Sequence, residues 1–152
     1  MTQFEMNSID DVHSKGFEYH PDWQPGWLHD GVMDAMRVIE QAGLSQNGYK
    51  AQLTGNFFYL GLVDAADKET FDGMQSEVLK RFEQGRHPLD NDCITFRVPT
   101  SASGEHYRTG VLDITRQEIR LYDWFGTSAT TDPFFSVILG WVNHLNIALK
   151  AK

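Results

Sequence analysis

A single cysteine, Cys93, among 152 residues leaves no partner for an internal disulfide, which fits a reducing compartment. No apolar run approaches the roughly 18–20 residues that a bilayer-spanning helix needs, so no membrane partner is expected. The opening residues MTQFEMNSIDD carry no basic stretch ahead of an apolar one, the pattern by which a secretory leader is read. An intracellular location, cytoplasm or nucleus, is the resulting expectation. Basic residues are also scarce: 13 Lys and Arg stand against 21 Asp and Glu, a net charge of −8. That balance argues against a surface that tracks phosphates, so nucleic acid is not an expected partner, while basic protein partners stay open. His13, His20, His29, His87 and His144 show no ligand-like spacing with Cys93, so neither a metal site nor a cofactor is expected. Internal repeats and low-complexity segments are lacking too.

What is present suits a globular chain. Apolar residues make up 41% and mean hydropathy is −0.41, and the length corresponds to one domain. Residues 1–21 read as a polar lead-in and 22–152 as the domain. Pro21, Pro25 and Gly26 resist regular structure. Beyond them Val32, Met33, Met36, Ile39 and Glu40 give a stripe at helical spacing, which predicts a helix near 30–42 ended by Gly43. Asp30 is placed to cap it by accepting from first-turn N–H groups. The block Asn56-Phe57-Phe58-Tyr59-Leu60 reads as a strand or the start of a buried turn, with Phe57, Phe58 and Tyr59 in the core. Phe71, Met74, Val78, Leu79 and Phe82 predict a second helix over 69–84.

The next segment alternates. Ile94, Phe96 and Val98 interleave with Thr95 and Arg97, and Pro99 ends the run, as in a strand. Residues 107–114 and 118–122 form two further strands of a hairpin. Asp132-Pro133 is a helix start, Asp as cap and Pro in the first turn. The helix to about Lys150 is apolar on most sides (Phe134, Phe135, Val137, Ile138, Trp141, Val142, Leu145, Leu149), which predicts deep burial. Together these elements imply an α+β fold, with helices packed on a small, mostly antiparallel sheet.

The hairpin carries the chemistry. His106 precedes one strand and Asp123 ends the other, and a turn near Arg116 pairs 123 close to 108 and 106 close to 125. Neighbouring strands are about 4.8 Å apart, so an imidazole–carboxylate hydrogen bond is available. An Asp that orients a His is the back half of a Ser/Cys–His–Asp triad.

The surrounding residues add a resemblance. Trp27-Leu28-His29-Asp30 leads a helix, Phe57-Phe58-Tyr59 follows, and Pro99 stands seven residues before His106-Tyr107. Val111-Leu112-Asp113, Ile119 and Tyr122-Asp123 complete the series. This order resembles the ubiquitin-like-protein proteases, the SUMO-deconjugating (sentrin-specific) cysteine peptidases, over about residues 22–145. His29 replaces an Asn of the family pattern, Tyr107 its Trp, and Trp124 the Ser after the Asp.

The resemblance implies a papain-like cysteine-proteinase fold, incomplete here, with His106 as general base and Asp123 as its orienting partner. Trp27 and Tyr107 would form the narrow slot for a modifier's Gly-Gly tail, since only side-chain-free glycines thread between two close rings. Trp27 serves equally as a core anchor. Asp30, besides capping, would meet a basic residue of the modifier. The expected partner is a ubiquitin-like modifier or its conjugates.

The family's oxyanion Gln and nucleophilic Cys lie downstream of the Asp, and after Asp123 this sequence has neither residue type. Cys93 reads as a small buried hydrophobe in a strand. Without a thiolate, His and Asp have nothing to activate, so these residues alone are not expected to hydrolyse isopeptide bonds. The apolar 133–150 helix is expected to be covered by further chain, a second polypeptide or a second copy. Two functions follow: the front part of a peptidase, or a binding module that keeps the tail slot. A third reading leaves only a soluble globular domain.

Overall fold

The computed structural model describes residues 30–72, 82, 85–99, 107–123 and 131–151, the side chains of residues 30–32 excepted. The expected lead-in over 1–21 lies outside them. The chain divides into two compact units, Met1–Tyr49 and Lys50–Lys152.

The described part of the first unit is one helix, α1 (Asp30–Gln46). It does not stop at Gly43. A glycine inside a helix weakens it but does not end it. The end comes at Gly48, whose φ of +76° is a left-handed conformation open to glycine. The Tyr49 N–H then reaches the Leu44 carbonyl at 3.0 Å and the Gly48 N–H the Ser45 carbonyl at 3.1 Å, the bond pair of a Schellman termination. The apolar stripe is also out of phase. Met36 and Ile39 are exposed, while Met33, Val38 and Gln41 are buried together with Asp34 and Arg37. The two charges sit one turn apart at 3.5 Å, each side chain about 6% exposed. Pairing makes their burial tolerable, and a reading that counts only apolar residues misses such a face.

The second unit is a four-stranded sheet with helices on one side. Its strands are β1 (Ala51–Leu53), β2 (Cys93–Pro99), β3 (Tyr107–Asp113) and β4 (Glu118–Tyr122), in spatial order β1-β2-β3-β4. β1 runs parallel to β2 and the other two pairings are antiparallel. The fold is α+β, as expected. β2, the β3–β4 hairpin and the last helix fall where the sequence places them, within a residue or two.

Residues 56–60 do not form a strand. Asn56 and Phe57 make a turn and α2 (Phe58–Lys68) begins there. Phe58 and Tyr59 are buried as expected, but Phe57 is 58% exposed because it precedes the first helical turn. The helix expected over 69–84 does not begin at Glu69, which ends α2 in a left-handed conformation (φ +55°), nor does it include Thr70; Phe71 and Asp72 are helical, Phe82 is buried in a bend, and 73–81, 83 and 84 lie outside the described residues. A short 3-10 turn, Pro88–Asp90, leads into β2.

The last helix, α3 (Pro133–Lys150), starts as the sequence dictates: the Asp132 carboxylate accepts from the Phe134 N–H at 3.0 Å, and Pro133 needs no donor. Strand alternation sends Ile94, Phe96 and Val98 to one face of the sheet, with Leu112, Ile119 and Leu121 from the hairpin. Phe58, Tyr59 and Leu62 of α2 and Phe134, Ile138, Trp141 and Leu145 of α3 close over that face. Thus one side of α3 is covered by the unit's own sheet and α2. Its outer side keeps Leu139, Ile147 and Leu149 exposed. At Gly110 the Phe134 ring lies where a Cβ would be, so the strand and helix approach each other only because no side chain intervenes.

Candidate functional site

The β3–β4 hairpin sets the geometry. Its register pairs Asp113 with Glu118, Leu112 with Ile119, Gly110 with Leu121 and Thr109 with Tyr122. The four-residue loop between them is closed by the Asp113 carboxylate, which accepts from the Arg116 N–H at 3.0 Å, and by Gln117 at φ +57°. The ladder ends at Thr109 and Tyr122; the expected pairing of 123 close to 108 falls one residue beyond it.

Tyr107 is the first residue of β3, pairs with Pro99 and is half-buried. Asp123 directly follows β4 and is half-buried. The two therefore reach the same end of the hairpin on neighbouring strands. Asp30 is the first residue of α1, but its side chain, with any capping role, is not among those described. Trp27 and His106 also lie outside the described residues.

Behind the hairpin mouth is a polar cluster that sequence reasoning missed. Arg108 donates to the Asp132 carboxylate, the side chains 10% and 17% exposed. Asp132 thus caps α3 with one oxygen and holds β3 with the other. Tyr59 is buried beside them, its ring 5.5 Å from that of Phe134. Its phenol is pushed up to about 12, first by burial and then by the Asp132 charge, with Arg108 pulling the other way. The signal was partly visible, because Arg108 has the same strand parity as Gly110 and Leu112. An arginine on a core-facing position needs a carboxylate.

The other face of the sheet is polar. In cross-strand rows it carries Pro99 and Tyr107; Arg97, Thr109 and Tyr122; Thr95, Val111 and Arg120; Cys93, Asp113 and Glu118. Arg120 binds the Asp113 carboxylate at 2.7 Å, lies 3.9 Å from that of Glu118 and donates to the Tyr122 hydroxyl at 3.2 Å.

Cys93 belongs to this outer face and is half-buried, not packed among Ile94, Phe96 and Val98. Burial above all, then the Asp113 and Asp92 charges, push its thiol above the ordinary value, with Arg120 opposing. It also stands at the far end of a seven-residue strand from Pro99, roughly 20 Å away at about 3.3 Å per residue. A thiol so placed holds its proton more firmly than an ordinary cysteine and stands at the opposite end of β2 from Pro99. Among the described residues, no group of three or more His, Cys, Asp or Glu is arranged to hold a metal ion, and no helix is long and apolar enough to cross a membrane. Comparison with known proteins gave no match to a family model, a curated protein or a solved structure.

Proposed function

We propose that the chain is the front part of a ubiquitin-like-protein cysteine-protease domain of the SUMO-deconjugating kind. In this reading the 152 residues bind the Gly-Gly tail of a ubiquitin-like modifier without cutting it. The observation that carries the reading is the hairpin register. It pairs Thr109 with Tyr122, so Asp123 directly follows the end of β4, while Tyr107, the residue after His106 in the sequence, opens β3. In this reading the Asp123 carboxylate holds the His106 imidazole in one tautomer and stabilises it when charged.

The order of elements lends further support. A helix after the Trp27 motif, a short strand, an aromatic block opening a helix, a strand ending in Pro99, the hairpin and an Asp-Pro-capped helix follow the motif order of that family. A papain-like architecture is part of the same proposal. His106 is its general base, Asp123 the orienting carboxylate, and Trp27, Asp30 and Tyr107 its modifier-binding residues.

Chemistry limits what these residues do alone. No cysteine or glutamine follows Asp123 in the sequence, and Cys93 is remote from the mouth. Imidazole and carboxylate then have no thiol to deprotonate. Binding is the activity that remains.

The test is calorimetric titration of the chain with a free modifier ending in Gly-Gly and with the same modifier lacking those two glycines. Binding is expected only for the first, weakened by Tyr107→Ala and by Trp27→Ala. Affinity indifferent to the tail and to both aromatic residues would sink the proposal.

A further inference from the structure

The outer face of the sheet holds two arginines of opposite circumstance. Arg120 is neutralised by Asp113 and Glu118 and braced by Tyr122. Arg97, in the next row, has no carboxylate or hydrogen-bond partner for its side chain among the described residues, although it is half-buried in a central strand. Of the two arginines in these rows, Arg97 is therefore the one without a carboxylate among the described residues, on a face that carries Asp113 and Glu118 and in a chain of net charge −8. Arg97 shares a cross-strand row with Thr109 on the neighbouring β3 and with Tyr122 one strand further, on β4. The adjoining row toward the hairpin mouth is Pro99 and Tyr107.

We infer that this row is a specificity subsite: Arg97 takes the carboxylate of one acidic side chain in the modifier's tail, upstream of the Gly-Gly end. The inference rests on the reading of Tyr107 as a tail-binding ring. Successive same-face rows are about 7 Å apart, which an extended tail spans with about two residues. With the glycines at Tyr107 and the tail running along the strands, the acidic residue stands two or three positions before them. The Thr109 hydroxyl, in the same row on the neighbouring strand, offers that carboxylate a neutral donor.

The occupant is a single carboxylate and not a polyanion. One guanidinium satisfies one carboxylate, and Asp113 and Glu118 farther down the face repel additional negative charge. A phosphate backbone would find no second free cation in these rows. The charge pattern selects an extended, singly acidic peptide segment.

The experiment uses the full chain and fluorescent peptides ending in Gly-Gly. One peptide carries Glu two or three positions before the glycines, a second Gln, and a third Lys. Anisotropy at low salt should show the Glu peptide binding about three- to ten-fold more tightly than the Gln peptide, the range of a partly exposed charge-assisted pair. Arg97→Ala should bind Glu and Gln peptides alike, and Arg97→Glu should now prefer Lys. Circular dichroism confirms that both variants fold, as expected for a half-buried outer-face position. If wild type binds the peptides in a Tyr107-dependent way but Arg97→Ala keeps the preference for Glu, the subsite is overturned and the tail-binding proposal stands. If wild type binds none of the peptides, both are overturned.

Discussion

Arg108 and Asp132 form a nearly buried ion pair across the junction of β3 and α3. The same carboxylate caps α3 through the Phe134 N–H. One aspartate thus joins the strand that follows His106 to the helix that closes the core. Because the helix start and the strand start share an anchor, the hairpin mouth cannot shift without opening the Phe134 packing.

Replacing Asp132 separates the two roles. Asp132→Ala removes the cap, worth about 1 kcal/mol, and strands a buried guanidinium, which costs about 3–5 kcal/mol. Asp132→Asn keeps an oxygen able to cap and to accept from Arg108 without a charge. Urea unfolding should rank wild type above Asn and Asn above Ala, with Ala lower by at least about 3 kcal/mol. An alanine variant within 1 kcal/mol of wild type contradicts the anchoring role.

Tyr59 gives the fold a pH dependence at the alkaline end. Its folded-state value of about 12 lies above the ordinary 10.0, so the folded chain holds the phenol proton more tightly than the unfolded chain. The corresponding stability is fully present below pH 10 and is lost as pH rises through 12. Two units correspond to roughly 2–3 kcal/mol at most. Tyrosinate absorbance should show one of the five tyrosines ionising late, and that late step should vanish in Tyr59→Phe. The phenylalanine variant should also lose less stability between pH 10 and 12. A Tyr59→Phe titration identical to wild type rules this out.

Gly110 is where β3 and α3 touch most closely. A methyl group there overlaps Cζ and Cε2 of Phe134 and stands 3.1 Å from Cε1. The ring is fully buried and ringed by Tyr59, Phe96 and Phe135, so it has no free direction in which to retreat. Gly110→Ala should destabilise by about 1–3 kcal/mol or more through overpacking. Phe134→Leu in the same chain should recover part of the loss, a coupling that the double-mutant cycle reads directly. Simple additivity of the two changes contradicts the contact.

The legible parts of the sequence were those where one local rule acts alone. The Asp132-Pro133 start, the alternation of Ile94, Phe96 and Val98, and the hairpin around Arg116 each follow from a few neighbouring residues. Where two rules compete, the reading failed. Gly43 looks like a helix end until Gly48 supplies the left-handed residue that the termination uses. Phe57-Phe58-Tyr59 reads as a strand, because aromatic residues favour sheets, or as the start of a buried turn; a turn does form at Asn56-Phe57, but packing against β2 and α3 draws the last two aromatic residues into a helix that neither reading foresaw. The Asp34–Arg37 pair was missed, and of the Arg108–Asp132 pair only the core-facing parity of Arg108 could be read, because burial of charge depends on a partner that spacing does not announce. For the site, the pairing of strands 107–113 and 118–122 was readable from turn position alone. The guanidinium of Arg97, without a carboxylate among the described residues, was not, since this shows only once the carboxylates of its face are seen committed to Arg120.

Cys93 provides the last and most direct check on the functional reading. Its thiol is raised by burial and by nearby carboxylates, and its strand carries it to the end opposite Pro99. Nucleophilic attack needs a thiolate, and burial with the neighbouring carboxylates disfavours one here. Cys93→Ala should therefore leave modifier binding unchanged and alter stability by less than about 1 kcal/mol, as expected for a half-buried residue. A fusion in which a short peptide follows the modifier's Gly-Gly end should stay intact with wild type and variant alike. Cleavage by wild type that disappears in Cys93→Ala would make Cys93 a working nucleophile, and a fold that keeps it at the wrong end of β2 could not explain that result.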